Sequence, residues 1–254
     1  SYAASRVNSY YYHEMLRLHP GDIELQKIID KEKEDLPLYH PGSYNSYFAL
    51  VRSGLEEPLT THADHFNTNF GYSIAAYSKG AMFMEQLGYI IGADTRDKVL
   101  LEYYRQWRFK HPNAGDFVRV AEKVSGQQLD WYKEYWVNTT KTIDYGIDSL
   151  WEEGGKTKIR LKMIGKMPMP LDVLIQYKDG SKELAYIPQY SQFGEKPVED
   201  PGIPRTSFEP WRWTHPTYTF ELNRKLTDMK VVDIDPTWRL ADVDRKNNRL
   251  ELNW

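Results

Sequence analysis

Tyr72 to Ile91, YSIAAYSKGAMFMEQLGYII, decides how the rest of the chain is read. Ile74, Ala75, Met82, Met84, Leu87 and Ile90 are apolar, and Ala75, Ala76, Gly80 and Ala81 are small enough to let neighbours come close. Apolar residues almost surround the segment, which is the pattern of a helix inside a protein rather than on its rim. At its start lies Tyr77-Ser78-Lys79-Gly80. A phenol in a helical core needs a polar partner. Its plainest reading is a core tyrosine bonded to a carbonyl.

The chain around this segment has 254 residues, 41% apolar and 27% charged, which suits one large or two ordinary globular domains. A net charge of -3 excludes a strong field directed at nucleic acid or an anionic membrane. The densest charge run, KEKE at 31–34, is self-neutralising and reads as a helix face. Aromatic residues reach 14%, which suits wet interfaces between layers or a carbohydrate or peptide surface. Absent cysteine excludes disulfides and thiolate chemistry but leaves the compartment open, bacterial export included. No apolar run approaches the ~20 residues of a membrane span. The chain lacks an initiator Met, shows no signal peptide and opens in a helical pattern, so it is expected to be a fragment of a longer polypeptide.

Upstream of the central segment, 1–18 reads as a helix on Tyr2, Val7, Tyr11, Met15 and Leu18, and Asp22 caps a second to about Glu34. Residues 35–68 read as irregular, with a short helix through Tyr47–Val51. Downstream, a helix over about 95–110 is expected to face Val99, Leu100, Tyr103, Tyr104 and Trp107 inward, followed by helices at Phe117–Val124 and Leu129–Asn138. The period then changes from helical to alternating. Lys158–Met163, Leu171–Tyr177, Glu183–Ile187, Thr217–Leu222 and Lys230–Ile234 read as strands, and Asp179-Gly180 as a hairpin turn. The expected fold is α + β in separate regions: a helical part, 1–142, and an antiparallel β-sandwich, 143–254.

Candidate chemistry is sparse. His13-Glu14 begins a zinc-protease motif, but Arg17 stands where the second imidazole is needed, and His19 falls on another face. His62-Ala63-Asp64-His65 has metal-ligand spacing, yet it lies in a loop without a third ligand. Asp242–Asn247 starts like a calcium loop, but Lys246 and the missing glycine favour a turn. Trp211-Arg212-Trp213 reads as a plug between layers rather than a sugar platform. Gly-rich phosphate loops, G-x-S-x-G and a Cys nucleophile are all missing. Residue by residue, no complete catalytic set is present.

Tyr77-Ser78-Lys79-Gly80-Ala81 resembles the Y-x-K-G-A element of the gluzincin aminopeptidases of peptidase family M1. The likeness continues through Phe83, Leu87, Gly92, His111-Pro112, Asp116-Phe117 and Ala121–Gly126. It goes on to Leu129–Trp131, Tyr135-Trp136, Asn138–Thr140 and Ile143–Tyr145, and ends in Asp233–Pro236 and Arg239–Asp244. It is nearest to bacterial members without a large helical C-terminal domain. The resemblance implies the helical subdomain of a thermolysin-like catalytic domain followed by a β-sandwich. It also implies a zinc aminopeptidase that removes N-terminal residues from peptides. Ser1-Tyr2 matches the end of the element carrying the family's zinc-ligating Glu, so the zinc ligands and general base would lie upstream, in the N-terminal part of the same polypeptide. This chain is expected to hold no metal ligand and to be inactive alone. Tyr77 then matches the phenol that hydrogen-bonds the tetrahedral oxyanion, Tyr72 matches a second active-site tyrosine of some relatives, and Thr60, Thr61 and His62 would edge the substrate cleft. The rival reading is a non-catalytic scaffold or peptide-binding module.

Overall fold

The computed structural model describes residues 17, 18, 21, 23 and 41–252. The expected helices at 1–18 and 22–34 fall almost wholly outside the described residues, as do His13, Glu14, His19 and the charge run at 31–34. The chain forms two compact units. One holds the described residues up to Leu87 with Trp136–Thr140 and Thr237–Ala241; the other holds Gly88–Tyr135, Lys141–Pro236 and the residues from Asp242 onward.

In the first unit, α1 (Pro41–Ser53) buries Tyr44, Tyr47, Phe48 and Leu50. It is longer than the Tyr47–Val51 helix expected from sequence. Pro41-Gly42 looks like a breaker, yet proline suits the first turn of a helix, where its missing N–H would have no partner. The central segment is not one uninterrupted helix. It comprises α2 (Asn69–Ser73), a π turn (Ile74–Lys79) and α3 (Gly80–Ile91). The π turn packs on α1. Ala75, Ala81, Met82, Phe83 and Leu87 join the core, together with Trp136 and Leu240. Gln86 is fully buried and satisfies backbone groups of a segment that has no regular structure of its own. Its amide donates to Arg239 O at 2.6 Å and its carbonyl accepts from Ala241 N at 3.0 Å, stitching the 237–241 segment to the helix.

The second unit carries α4 (Ala93–Trp107), α5 (Ala114–Ser125) and most of α6 (Asp130–Asn138). On α4, Val99 is buried as expected, but Tyr104 is 62% exposed, because the inward stripe runs through Arg96 and Val99 instead. Eight strands follow: β1 (Tyr145–Glu153), β2 (Lys156–Met163), β3 (Leu171–Tyr177), β4 (Lys182–Ile187), β5 (Arg205–Ser207), β6 (Thr217–Leu222), β7 (Met229–Ile234) and β8 (Arg249–Glu251). They make a three-stranded sheet ordered β1-β2-β6 and a five-stranded sheet ordered β5-β4-β3-β7-β8. Pairing is antiparallel except for β4 with β5, so the second sheet is mixed rather than wholly antiparallel. Gly154-Gly155, both at positive φ, close the two-residue turn from β1 to β2. Central β3 is buried at every position but Gln176, as expected of a strand covered on both faces.

Candidate functional site

The site is built on the π turn. Thr68 caps α2, its hydroxyl accepting from Gly71 N at 2.9 Å. Gly71 is buried here, and a Cβ would stand 3.0 Å from Leu55 O, so the helix starts hard against the 55–57 loop. One extra residue then enters the helical ladder. Gly80 N–H reaches back to Ala75 O, the i→i+5 bond of a π turn, a form concentrated at functional sites.

Within this turn Tyr77 is 64% exposed, so it is not a core tyrosine. Tyr72 is 41% exposed, its ring edge-on to Phe66 with centroids 5.4 Å apart. Two residues beyond Tyr77 the environment inverts. Lys79 has no exposed surface, its Nζ 2.7 Å from Glu56 Oε1 and donating to Thr139 O at 3.0 Å. Burial raises the Glu56 carboxyl above its ordinary range, and Lys79 pulls it part of the way back. The buried Tyr47 phenol, packed on Trp136 at 5.8 Å, is pushed well up by burial and then by the Glu56 charge. Neighbouring Glu57 instead holds Asn67, accepting from its backbone N at 3.0 Å and its side chain at 3.1 Å. Adjacent carboxylates thus pin the 55–68 loop, one inward and one along its length.

Thr60 N donates to Val137 O at 3.2 Å, so Thr60 and Lys79 both land on the 137–139 segment. Thr61 is half-buried, and its N–H bonds Pro58 O at 3.0 Å. His62 is exposed and caps a short 3-10 turn, Ala63–His65, with Nδ1 accepting from Asp64 N at 3.3 Å. Its ring lies 5.4 Å from that of His65. Among the described residues no three His, Cys, Asp or Glu side chains gather as a metal site. Asp242 and Asp244 accept from backbone N–H groups two residues on, which makes 242–247 a turn. Trp211 is buried, donating to His215 O at 2.9 Å, whereas Trp213 is half exposed. Sequence reasoning misses Glu56 and the role of Lys79, since nothing local to Leu55–Pro58 announces a partner so far along the chain.

No protein-family model matches the chain. No curated protein matches it either. Among solved structures the chain is similar to Legionella pneumophila aminopeptidase A in complex with aspartic acid, with a TM-score of 0.45 and 11% identity over 82% of this chain. The chain spans 24% of the length of that protein. A likeness this distant carries no argument about activity.

Proposed function

We propose that this chain is the C-terminal part of an M1-type zinc aminopeptidase, with a helical half of the catalytic domain at 1–142 and a β-sandwich at 143–254. In this reading Tyr77 donates a hydrogen bond to the oxyanion that forms as an N-terminal residue is hydrolysed from a peptide. The observation that supports it is the exposure of Tyr77 on a π turn whose last residue, Lys79, is locked in the core by Glu56. A neutral phenol at pH 7 is a donor that can meet developing negative charge without itself becoming charged. Tyr72 and the Thr60–His62 segment would line the approach to it. In this reading the metal, its ligands and the general base belong to the N-terminal part of the same polypeptide. Neither nucleic acid nor a membrane span enters this reading; among the described residues no helix is long and apolar enough to cross a membrane.

The test is Tyr77→Phe in the full-length polypeptide, assayed on aminoacyl-anilides. Loss of one oxyanion donor lowers kcat roughly 100-fold or more. The melting temperature should be unchanged, because the side chain is largely solvated. Wild-type kcat in this variant would leave the non-catalytic, peptide-binding module as the better reading.

A further inference from the structure

We infer that the buried Lys79–Glu56 pair, with Thr139 as a second anchor, holds Ile74–Lys79 in the π register and so sets where the Tyr77 side chain points. This rests on the catalytic reading of Tyr77. The sequence of the turn, Ile-Ala-Ala-Tyr-Ser-Lys, contains no proline and no glycine. Two alanines and a lysine favour an ordinary α-helix, so nothing local asks for the extra residue. Ser73, which leads into the turn, makes no side-chain cap. A π turn is rare within a helix and persists where its surroundings hold it. The force that keeps this one must come from outside the turn.

Lys79 supplies such a force. It is the last residue of the turn and has no exposed surface; its ammonium meets Glu56 Oε1 at 2.7 Å and Thr139 O at 3.0 Å. Glu56 is itself nearly enclosed, its side chain 6% exposed. Returning the turn to α register removes one residue from it and rotates α2, on one side, by about 100° against α3 on the other. Beyond the turn, α3 is fixed by Met82, Phe83 and Gln86 in the core. The rotation would therefore fall on α2 and on the 55–57 loop that Gly71 abuts and Glu57 ties to Asn67, drawing Glu56 away from the ammonium. A buried charge without its partner is strongly unfavourable. Tyr77, two residues before Lys79, turns with the same backbone. Lys79 is thus a positioning residue, acting through the backbone rather than by touching substrate.

The test joins a structural readout to a kinetic cycle. In Lys79→Met, amide exchange at Lys79 and Gly80, the donors of the widened turn, should change roughly tenfold or more while Met82–Gln86 stay within about twofold. If that variant does not fold, Glu56→Leu/Lys79→Met removes both charges from the interior and keeps the readout accessible. Unchanged exchange at Gly80 in a folded variant overturns the inference. In the full-length polypeptide, Lys79→Met should lower kcat about tenfold or more with KM within about threefold. Added to Tyr77→Phe, it should cost nothing further, because both act through one phenol. Multiplicative losses would make Lys79 a structural residue and overturn the positioning role. If Tyr77→Phe alone keeps wild-type kcat, the catalytic reading fails, and the exchange result alone decides whether the pair holds the register.

Discussion

Lys79 and Lys196 both have fully buried side chains, and they are held differently. Lys79 sits in a helix and makes an ion pair with Glu56 and one bond to a carbonyl. Lys196 sits in the loop between β4 and β5, paired with Asp172 of β3 and with Glu199 at 3.3 Å, and its ammonium lies 4.4 Å from the Tyr89 ring centroid. Its backbone is held as well. Lys196 N donates to Tyr186 Oη at 3.1 Å, and its carbonyl accepts from Arg205 at 2.9 Å, whose guanidinium stacks 3.8 Å over the Tyr186 ring. A loop has no ladder to satisfy its backbone groups, so side chains must do it. The helix around Lys79 already bonds its own backbone. There the buried charge is free to decide between two registers of an element that would exist either way, whereas at Lys196 it decides whether the loop lies on the sheet at all.

The largest effect is therefore expected at the loop. Lys196→Met leaves Asp172 buried with only the Arg205 guanidinium, whose Nε is 3.8 Å away. Breaking one side of such a pair costs about 3–5 kcal/mol. Denaturant unfolding should show this loss, and limited proteolysis should cut within 188–204 before any other part of the described chain. Asp172→Asn/Lys196→Met should recover much of the stability, because no charge remains uncompensated. A loss below about 1 kcal/mol in the single variant would mean that the backbone bonds alone hold the loop.

Asp242 breaks the pattern from the other side, as a buried carboxylate held by N–H donors rather than by a lysine. It accepts from Tyr145 N at 2.9 Å, Asn248 Nδ2 at 3.1 Å and Asp244 N at 3.0 Å. Burial nevertheless outweighs these bonds and pushes its carboxyl up to about 6. A folded pKa above the unfolded one means that the folded state binds the proton more tightly. This contribution is present below about pH 4 and is lost as pH rises through about 6, an effect on the order of 3 kcal/mol. Asp148 and Asp179, held low by Arg160 and by Ser181 respectively, act with the opposite sign and at lower pH. The measurement is consequently a difference: unfolding free energy from pH 4 to 7 for the wild type minus that for Asp242→Asn. It should fall with rising pH, and a flat difference would show that the carboxylate is better solvated in the fold than its burial implies.

How legible these features are in the sequence depends on the range of the forces behind them. Leu171–Tyr177 and Thr217–Leu222 match their strands end to end, and Asp179-Gly180 closes its hairpin, because a short apolar run, alternation and turn chemistry are all local signals. β1 escapes a sequence reading although Gly154-Gly155 marks its turn; a register shift between Ile147 and Ser149 breaks the period of two that would announce it. β5 and β8 are three residues each, too short for any period. The π turn cannot be read at all. Its residues favour an α-helix, and its anchors at Glu56 and Thr139 are remote in sequence. Tyr77 can be singled out from its motif, but its exposure cannot, since the surrounding pattern is that of a buried helix.

The smallest expected effect separates the two ends of the π turn as sources of its register. Thr68 caps α2, which leads into the turn, and Asn113 caps α5, a regular helix. Asn113 Oδ1 accepts from Asp116 N at 3.0 Å and Asp116 returns the bond at 2.9 Å, a capping box. Replacing either cap by alanine should cost about 1 kcal/mol. For Asn113→Ala the loss should stay in the first turn of α5. For Thr68→Ala the comparison is sharper, because α2 is a single short piece of helix between the 55–68 loop and the π turn. If Lys79 and Glu56 carry the register, fraying α2 should leave protection at Gly80 within about twofold of wild type while Gly71 exchanges faster. Loss of protection at Gly80 as large as in Lys79→Met would shift the register to the whole run from Thr68. The buried pair would then be one constraint among several, closer to the redundantly held Lys196 than the contacts of Lys79 alone suggest.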